Sequence, residues 1–220
     1  MYLGFLAVLH LDRKLLDLKQ TDPAGFDQTV DVQLAVSRDG IAWRRIGNRA
    51  PWLLLGPFQS WDDMNLWPSI PVVTGDEIRV YYSGINVRHH IAEQATAGKK
   101  VDGRLRGGAI GFATLRRDGW VAARPNYSGK GTLTTRSLVF DGNALVVNAD
   151  ATRGRVLVEI LDAGRRPIAG FSGGDAAVVT GDSIRHRVKW KQGLGNLQGK
   201  AVRLRFTLEK AELYAFQFER

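Results

Sequence analysis

Polar and apolar residues alternate with a period of two along most of this chain. In Ser183–Trp190 and Val202–Leu208, every second residue is apolar or histidine, and polar residues lie between. Such alternation is typical of strands that bury one face and expose the other. Tight turns separate the runs, at Arg38-Asp39-Gly40, Thr74-Gly75-Asp76, Arg117-Asp118-Gly119, Asp141-Gly142-Asn143 and Thr180-Gly181-Asp182. The pattern predicts an all-β chain, with a weak helical pattern only at Leu11–Leu18.

The first half of the chain repeats one pattern. Each copy has an aromatic-x-Gly strand, a long loop, a second strand, an Asp-Gly turn and a strand that carries a tryptophan. These elements are Tyr2-Leu3-Gly4, Asp31–Ser37 and Trp43 in the first copy, and Tyr82-Ser83-Gly84, Gly108–Leu115 and Trp120 in the second. A further strand, Ser69–Val73, precedes the second copy. Four antiparallel strands over roughly 40–50 residues are typical of one β-propeller blade.

The repeat predicts two domains. Residues 1–125 are expected to form a partial β-propeller of about two blades, and residues 126–220 an antiparallel β-sandwich. Propellers close with about 4–8 blades, and an open set leaves sheet edges uncovered. We therefore expect the first domain to be the tail of a longer, truncated propeller that begins at an internal Met. In the alternatives, copies of this chain complete a ring as a homo-oligomer, or a separate chain supplies the missing propeller half.

Several stretches carry a family resemblance. Val36–Trp43, Ser60-Trp61-Asp62-Asp63 and Pro71–Gly84 resemble the last blades of five-bladed glycoside hydrolases of the family 32 and 43 kind. The stretches that are similar to the β-sandwich following that propeller are Gly131–Asn148, Thr180–Trp190 and Ala211–Phe218. The chain looks closest to bacterial proteins described as glycoside hydrolase family 32-like, and the resemblance covers nearly all of its residues.

The resemblance implies a carbohydrate-active protein that hydrolyses or binds a glycan. In that family, three acidic residues line the central funnel, and the first two come from early blades that have no counterpart here. Because glycoside hydrolysis needs paired carboxylates that flank the bond, we expect this chain alone to be catalytically incomplete. It would act as a hydrolase of O-glycosyl bonds only if missing blades or a partner complete it. The alternatives are a non-catalytic carbohydrate-binding or assembly protein, and a basic nucleic-acid-binding β protein.

The long loops of the predicted blades all return to one end of the propeller, where function is expected. The segment Trp61–Trp67 is the main candidate. Trp61 and Trp67 could pack on sugar rings, and Asp62 or Asp63 could serve as an acid, a base or a ligand for sugar hydroxyls. The alternative is structural: the tryptophans pack within the blade and the aspartates cap a turn.

The histidines are the remaining candidates. His10 ends a predicted strand, and His89 and His90 begin a long loop, so all three are expected beside the same substrate. Adjacent histidines on a strand point in opposite directions and chelate one metal poorly, which favours hydrogen bonding over a metal site. His186 lies on an apolar strand face and is interpreted as a core histidine. No metal ion and no cofactor is expected.

Composition and charge limit the function classes further. The 220 residues include no cysteine, which excludes disulfides and thiolate chemistry, and their net charge is +9. Basic residues concentrate at positions 99–124 and 185–205, which could attract nucleic acid. Alternation explains them as solvated strand faces, and no RNA-recognition signature is present, so the sequence disfavours nucleic acid. Tyr2–Leu9 is a poor secretory signal, and no run could span a bilayer, so we expect no membrane partner and, by default, a cytoplasmic location.

Overall fold

A computed structural model describes residues 1–11, 28–89, 100–101, 104–105, 107–126 and 129–220. The fold is all-β, as the alternation predicts. It divides into two compact units, Met1–Thr74 with Ile78–Thr114, and Gly75–Glu77 with Leu115–Arg220. The predicted domain boundary at residue 125 stays a prediction. The weak helical pattern at Leu11–Leu18 lies, apart from Leu11, outside the described residues.

Two sheets hold most of the strands. The strands that lie wholly or mainly in the first unit are β1 (Tyr2–His10), β2 (Thr29–Ser37), β3 (Trp43–Arg45), β4 (Asn65–Pro68), β5 (Val72–Thr74), β6 (Glu77–Ile85), β7 (Lys100–Val101), β8 (Arg104–Leu105) and β9 (Gly108–Arg116). Those of the second unit are β10 (Lys130–Thr134), β11 (Ala144–Asp162), β12 (Ala177–Val188), β13 (Val202–Glu209) and β14 (Glu212–Glu219). Short 3-10 helices occupy Gly47–Arg49, Gly173–Asp175 and Leu194–Leu197.

The main sheet of the first unit has the order β1-β2-β4-β6-β5, with β3 beside β2 and β9 beside β6. β1 and β2 pair antiparallel along their whole length, from Tyr2 opposite Ser37 to His10 opposite Thr29. The sheet's fully buried apolar residues include Val32 on β2, Leu66 on β4 and Val80 on β6. The predicted strands after the long loops are confirmed as β2 and β9. The strand predicted at Trp120 is wrong, because the backbone bends there after the turn at Asp118.

The turn between β2 and β3 explains one of the stretches that carried the resemblance. The Asp39 carboxylate accepts hydrogen bonds from the backbone N–H groups of Ile41 and Ala42, at 2.9 and 2.8 Å. These bonds lower the pKa of Asp39, with the Ser37 hydroxyl contributing further. Gly40 follows with a φ of +78°, which glycine adopts without strain. Ser-Arg-Asp-Gly is therefore a turn-forming sequence here.

The second unit is built around β11, a strand of 19 residues that is bulged near Asn148 and between Ala151 and Val156. Its first part pairs with β12 and β14, and its last part pairs with β12 and β13. Alternate positions of β13 are buried, as predicted for Val202–Leu208. They join one hydrophobic core with β11 and β12, in which Phe206 has no exposed surface.

Within the part of the chain that the structure describes, no helix is long and apolar enough to cross a bilayer.

Candidate functional site

Four strand ends meet at one end of the first unit's sheet. The last residue of β1, His10, lies opposite Thr29 at the start of β2. The next residue of β2, Val30, pairs with Asn65 at the start of β4, and Asn65 pairs with Ile85 at the end of β6. We call this the polar end of the sheet, because several buried polar side chains lie there or beside it: Gln28, Asp31, Gln33, Asn65 and Arg88.

These groups make the polar end unusual for a sheet interior. Buried polar groups are stable only when they are hydrogen-bonded, and most strands avoid them. Each of the five residues is no more than 6% exposed. A strand needs no such side chains to bury its face, so their concentration at one end is the main indication of a binding role.

A polar chain runs from His10 into β2. The His10 Nε2 atom lies 2.9 Å from Oδ2 of Asp31, which is 8% exposed in its side chain. The Gln33 amide donates to the other carboxylate oxygen of Asp31 at 3.3 Å, and its own oxygen accepts from Arg45 at 3.1 Å. His10 is 27% exposed in its side chain, so this chain connects solvent to a buried carboxylate. The carboxylate can accept hydrogen bonds from a polar ligand, and the imidazole can donate or accept them.

A second group at the polar end joins β4 to the end of β6. The Asn65 amide donates to the backbone oxygen of Val87, and the N–H of His89 donates to the oxygen of Gln28 at 3.0 Å. The Oδ1 atom of Asn65 has no hydrogen-bond partner among the described residues. The ring centroids of Trp67 and His89 are 6.4 Å apart and tilted by 42°. The predicted candidates Trp67 and His89 are therefore neighbours.

Trp61 lies elsewhere, packed against β6 and β9. Its ring stacks on Tyr82, with centroids 5.6 Å apart and planes inclined by 9°. Gly84 and Gly111 leave room for it, since a Cβ atom on either would approach the ring to 2.5 or 2.8 Å. This arrangement packs the tryptophan against the sheet of the first unit and leaves Trp61 half-buried.

Asp62 and Asp63 hold the turn that carries Trp61. The two oxygens of Asp62 accept hydrogen bonds from Ser60 at 2.6 Å and from the Tyr82 hydroxyl at 2.9 Å. Burial, together with the hydrogen bond to Asp62, raises the pKa of Tyr82 to about 12. Asp63 accepts from the backbone N–H of Gln59 at 2.7 Å. Both aspartates are 8% exposed, and these hydrogen bonds are typical of turn-capping residues.

The structure thus sorts the predicted site residues into three groups: His10 beside Asp31, Trp67 beside His89, and Trp61 with Asp62 and Asp63 in a packed turn. His90 lies outside the described residues. Sequence reasoning missed Asp31, Gln33 and Asn65. A signal existed in β2, where Asp31 and Gln33 alternate with Val30, Val32 and Leu34. Polar residues on the second face of a strand that is buried on both faces indicate an internal polar cluster.

The described residues contain no group of three or more His, Cys, Asp or Glu side chains that could hold a metal ion. At the polar end, a carboxylate, amides and imidazoles can form hydrogen bonds beside an indole ring. Comparison with protein-family models, curated proteins and solved structures gave no match.

Proposed function

We propose that this protein binds carbohydrate at the polar end of its first unit and belongs to a glycoside hydrolase family 32-like architecture. The observation that carries the proposal is the concentration of buried polar side chains beside Trp67 and His89. Sugar hydroxyls both donate and accept hydrogen bonds, and the apolar faces of sugar rings pack on aromatic rings. A carboxylate, two amides and an indole supply both kinds of contact.

Binding is favoured over hydrolysis by this chain alone. A glycosidase needs two carboxyl groups on opposite sides of the bond, about 5–10 Å apart. Asp62 and Asp63, the acids expected to act, are engaged with Ser60, Tyr82 and Gln59. Asp31 is a third acid, but it is nearly buried, lies against His10 and accepts a hydrogen bond from Gln33. In this proposal, hydrolysis occurs only if further acidic residues come from other blades.

The proposed architecture is a partial propeller followed by a β-sandwich. It is supported by two antiparallel sets of strands in the first unit, β1-β2-β3 and β5-β6-β9, each of which resembles part of a blade. Strand β4 joins the two sets through a single parallel pair, Val30 with Asn65. It is also supported by the single apolar core shared by β11, β12 and β13 in the second unit.

The proposed partner for the first unit is a further blade. The outer face of β6 and β9 carries Tyr81 and Phe112, whose ring centroids are 5.8 Å apart, and Ile110, which is 78% exposed. A packed blade would cover this face. Light scattering at several concentrations tests whether a second copy supplies it. A discrete oligomer that dissociates in Phe112→Ser supports a homo-oligomer, whereas a stable monomer leaves the missing propeller half as the proposed partner.

A tryptophan substitution tests the proposed binding site. Trp67→Ala should weaken the binding of neutral oligosaccharides about tenfold or more, since one aromatic platform and its burial are lost. Trp67→Phe should retain most of the affinity. Trp43→Ala is the matched control, because Trp43 pairs with the opposite end of β2 at Ser37. Screening against a glycan panel followed by calorimetry gives the readout. Equal affinities for the wild type and Trp67→Ala would refute the proposed site.

A further inference from the structure

An open cleft of about 480 Å³ lies at the surface of the second unit, distant in sequence from the polar end. Four basic side chains line it, Lys130, Arg153, Arg155 and Lys210, together with one acid, Glu209. The lining therefore carries a formal charge of +3, from four positive groups and one negative group. Concave surfaces that carry charge of one sign concentrate oppositely charged ligands.

Three of these residues form a row across the sheet. Glu209 on β13 lies opposite Lys130 of β10 on one side and opposite Arg155 of β11 on the other. Its carboxylate contacts the Lys130 amine at 3.0 Å and the Arg155 guanidinium at 2.7 Å. These contacts lower the pKa of Glu209, with the Arg155 hydrogen bond as the larger cause. One carboxylate thus positions two cations but neutralises only one of them.

Arg153 and Lys210 add the remaining charge, and both are exposed. Lys210 lies in the turn between β13 and β14, and its N–H donates to the oxygen of Gly129 at 2.8 Å. Arg153 lies in the bulge of β11, within electrostatic range of Asp150. The pKa of Asp150 is lowered first by hydrogen bonds from Thr152 and then by Arg116 and Arg153. Asp150 therefore offsets Arg153 only in part.

The backbone around the cleft is fixed by close approaches. A Cβ atom on Gly154 would come within 1.9 Å of the Glu209 backbone oxygen, so only glycine lets β11 pass the end of β13 here. Gly129 has a φ of +69° and begins the turn into β10. These glycines bring Arg153, Arg155 and Lys210 around one concavity. The backbone positions of the cations are therefore fixed before any ligand arrives, and Glu209 also holds the side chains of Lys130 and Arg155, which reduces the entropy lost on binding.

We propose that this cleft binds the anionic groups of an acidic polysaccharide, either sulfate esters or carboxylates. The choice of a glycan over other polyanions rests on the proposed function, whereas the anion site itself does not. The composition of the lining also favours a glycan, because none of the described residues that line the cleft is aromatic. Single-stranded nucleic acid is bound largely by stacking its bases on aromatic side chains. Charged sugars need only cations spaced along an open surface.

The test compares two double variants of equal charge. Arg153→Gln/Lys210→Gln removes two cations from the cleft. Arg187→Gln/Lys189→Gln removes two exposed cations from β12 and its end, and serves as the control. Calorimetry at about 0.1 M salt, where charges beyond about 10 Å are screened, measures the binding of heparin, alginate, neutral dextran and a thymidine oligonucleotide. Unchanged thermal midpoints show that each variant remains folded.

The proposal predicts that heparin or alginate binds the wild type, and that the cleft variant loses about tenfold or more of that affinity while the control keeps it. Binding of only one of the two identifies sulfate or carboxylate as the anion. Equal losses in both variants would show general attraction by net charge and overturn the proposal. Tighter, cleft-dependent binding of the oligonucleotide, or no polyanion binding, would overturn it as well. Trp67→Ala should leave heparin binding unchanged, because Trp67 does not line the cleft. Failure of the proposed neutral-sugar site can therefore be told apart from failure of the proposed anion site.

Discussion

Among single residues, Tyr82 connects the strand β6 to the turn that carries Trp61. Its hydroxyl donates to Asp62 at 2.9 Å, and its ring stacks on Trp61. The hydroxyl therefore stabilises an ionised carboxylate that is 8% exposed. A hydrogen bond to a charged group contributes about 1.5–3 kcal/mol, so this contact fixes the turn with more energy than an ordinary surface bond.

The raised pKa of Tyr82 predicts a specific alkaline instability. Its folded-state pKa of about 12 exceeds the ordinary value of 10.0, so the neutral phenol is favoured by folding. The resulting stability is fully present below pH ~10 and is lost as the pH rises toward ~12. Tyr82→Phe should be less stable than the wild type at pH 8, and the difference should shrink across this range. Urea unfolding at successive pH values measures it.

Tyr81→Phe is the matched control, because Tyr81 is the adjacent residue of β6 and its side chain lies on the other face. A wild type and Tyr82→Phe that lose stability in parallel up to pH ~12 would contradict the assigned hydrogen bond.

At the scale of strands, aromatic-x-Gly is a packing signal. The Gly4 position lies under the ring of Trp43, and a Cβ atom there would meet the ring at 2.9 Å. In the second copy, Gly84 lies under Trp61. Glycine in a strand often marks such a close approach. In both copies a tryptophan packs on the glycine, but the partner of Gly84 comes from the turn before β4 rather than from Trp120.

Gly84→Ala should therefore destabilise the protein. The added methyl would lie 2.5 Å from the Trp61 ring and 2.6 Å from the Cβ atom of Asp62, so the turn must shift. Overpacking of this kind costs about 1–3 kcal/mol in the free energy of unfolding. Chemical denaturation followed by tryptophan fluorescence measures the loss. Trp61→Leu should relieve part of it in the double variant, and strictly additive losses would show that the two residues do not clash.

In the second unit, β11 and β13 are joined by an ion pair between Glu159 and Arg205. The guanidinium donates to both carboxylate oxygens, at 2.7 and 2.8 Å. This hydrogen bonding is the main cause that lowers the pKa of Glu159 below its ordinary value of 4.5, with the Gly173 N–H assisting. Glu159 is 10% exposed in its side chain and Arg205 is 32% exposed, so solvent weakens the pair only in part.

Glu159→Gln should lower the free energy of unfolding at pH 7 by about 1–2 kcal/mol. This range is that of a hydrogen bond to a charged group, reduced because Arg205 is partly exposed to solvent. A carboxyl group whose pKa is lowered by folding stabilises the protein at pH values above its pKa in the unfolded chain. This stability is lost as the pH falls through its pKa in the folded protein. The wild type should therefore lose more stability than Glu159→Gln between about pH 5 and pH 3. Urea midpoints measured against pH provide the test. Asp141→Asn is the control. Asp141 pairs with Arg220, both partners are mostly exposed, and the substitution should therefore change the stability little.

Period-two alternation predicted β13 and the part of β12 from Ser183 onward, because each buries one face on a single core. The turn predicted at Thr180-Gly181-Asp182 is wrong, because these residues continue β12 and pair with β11 beside its bulge. The turn residues Arg38-Asp39-Gly40 predicted the turn at Asp39 equally well, since the turn is formed by residues close in sequence. The pairing of His10 with Asp31 depends on the register of β1 with β2, which alternation alone does not define. The same holds for Asn65, whose partners are Val30 on β2 and Val87 just after the end of β6.

For the molecule as a whole, the second unit contains a complete core of its own. All members of its buried apolar cluster lie between Phe140 and Leu213, so their mutual burial needs no residue of the first unit. The contribution from elsewhere is the Gly75–Glu77 turn, where the Asp76 oxygen accepts from the Arg117 N–H at 2.7 Å. A domain of roughly 100 residues buries enough surface to fold alone.

A fragment of residues 115–220 should therefore fold cooperatively without the rest of the chain. Its thermal unfolding, followed by circular dichroism, should show one sharp transition. Phe206→Ala in the fragment should lower its stability by about 3–5 kcal/mol, because this side chain has no exposed surface and its loss leaves a cavity. The exposed Arg187→Ala is the control, with a change within about 0.5 kcal/mol. A fragment that melts gradually, or that is insensitive to Phe206→Ala, would show that its core requires the first unit.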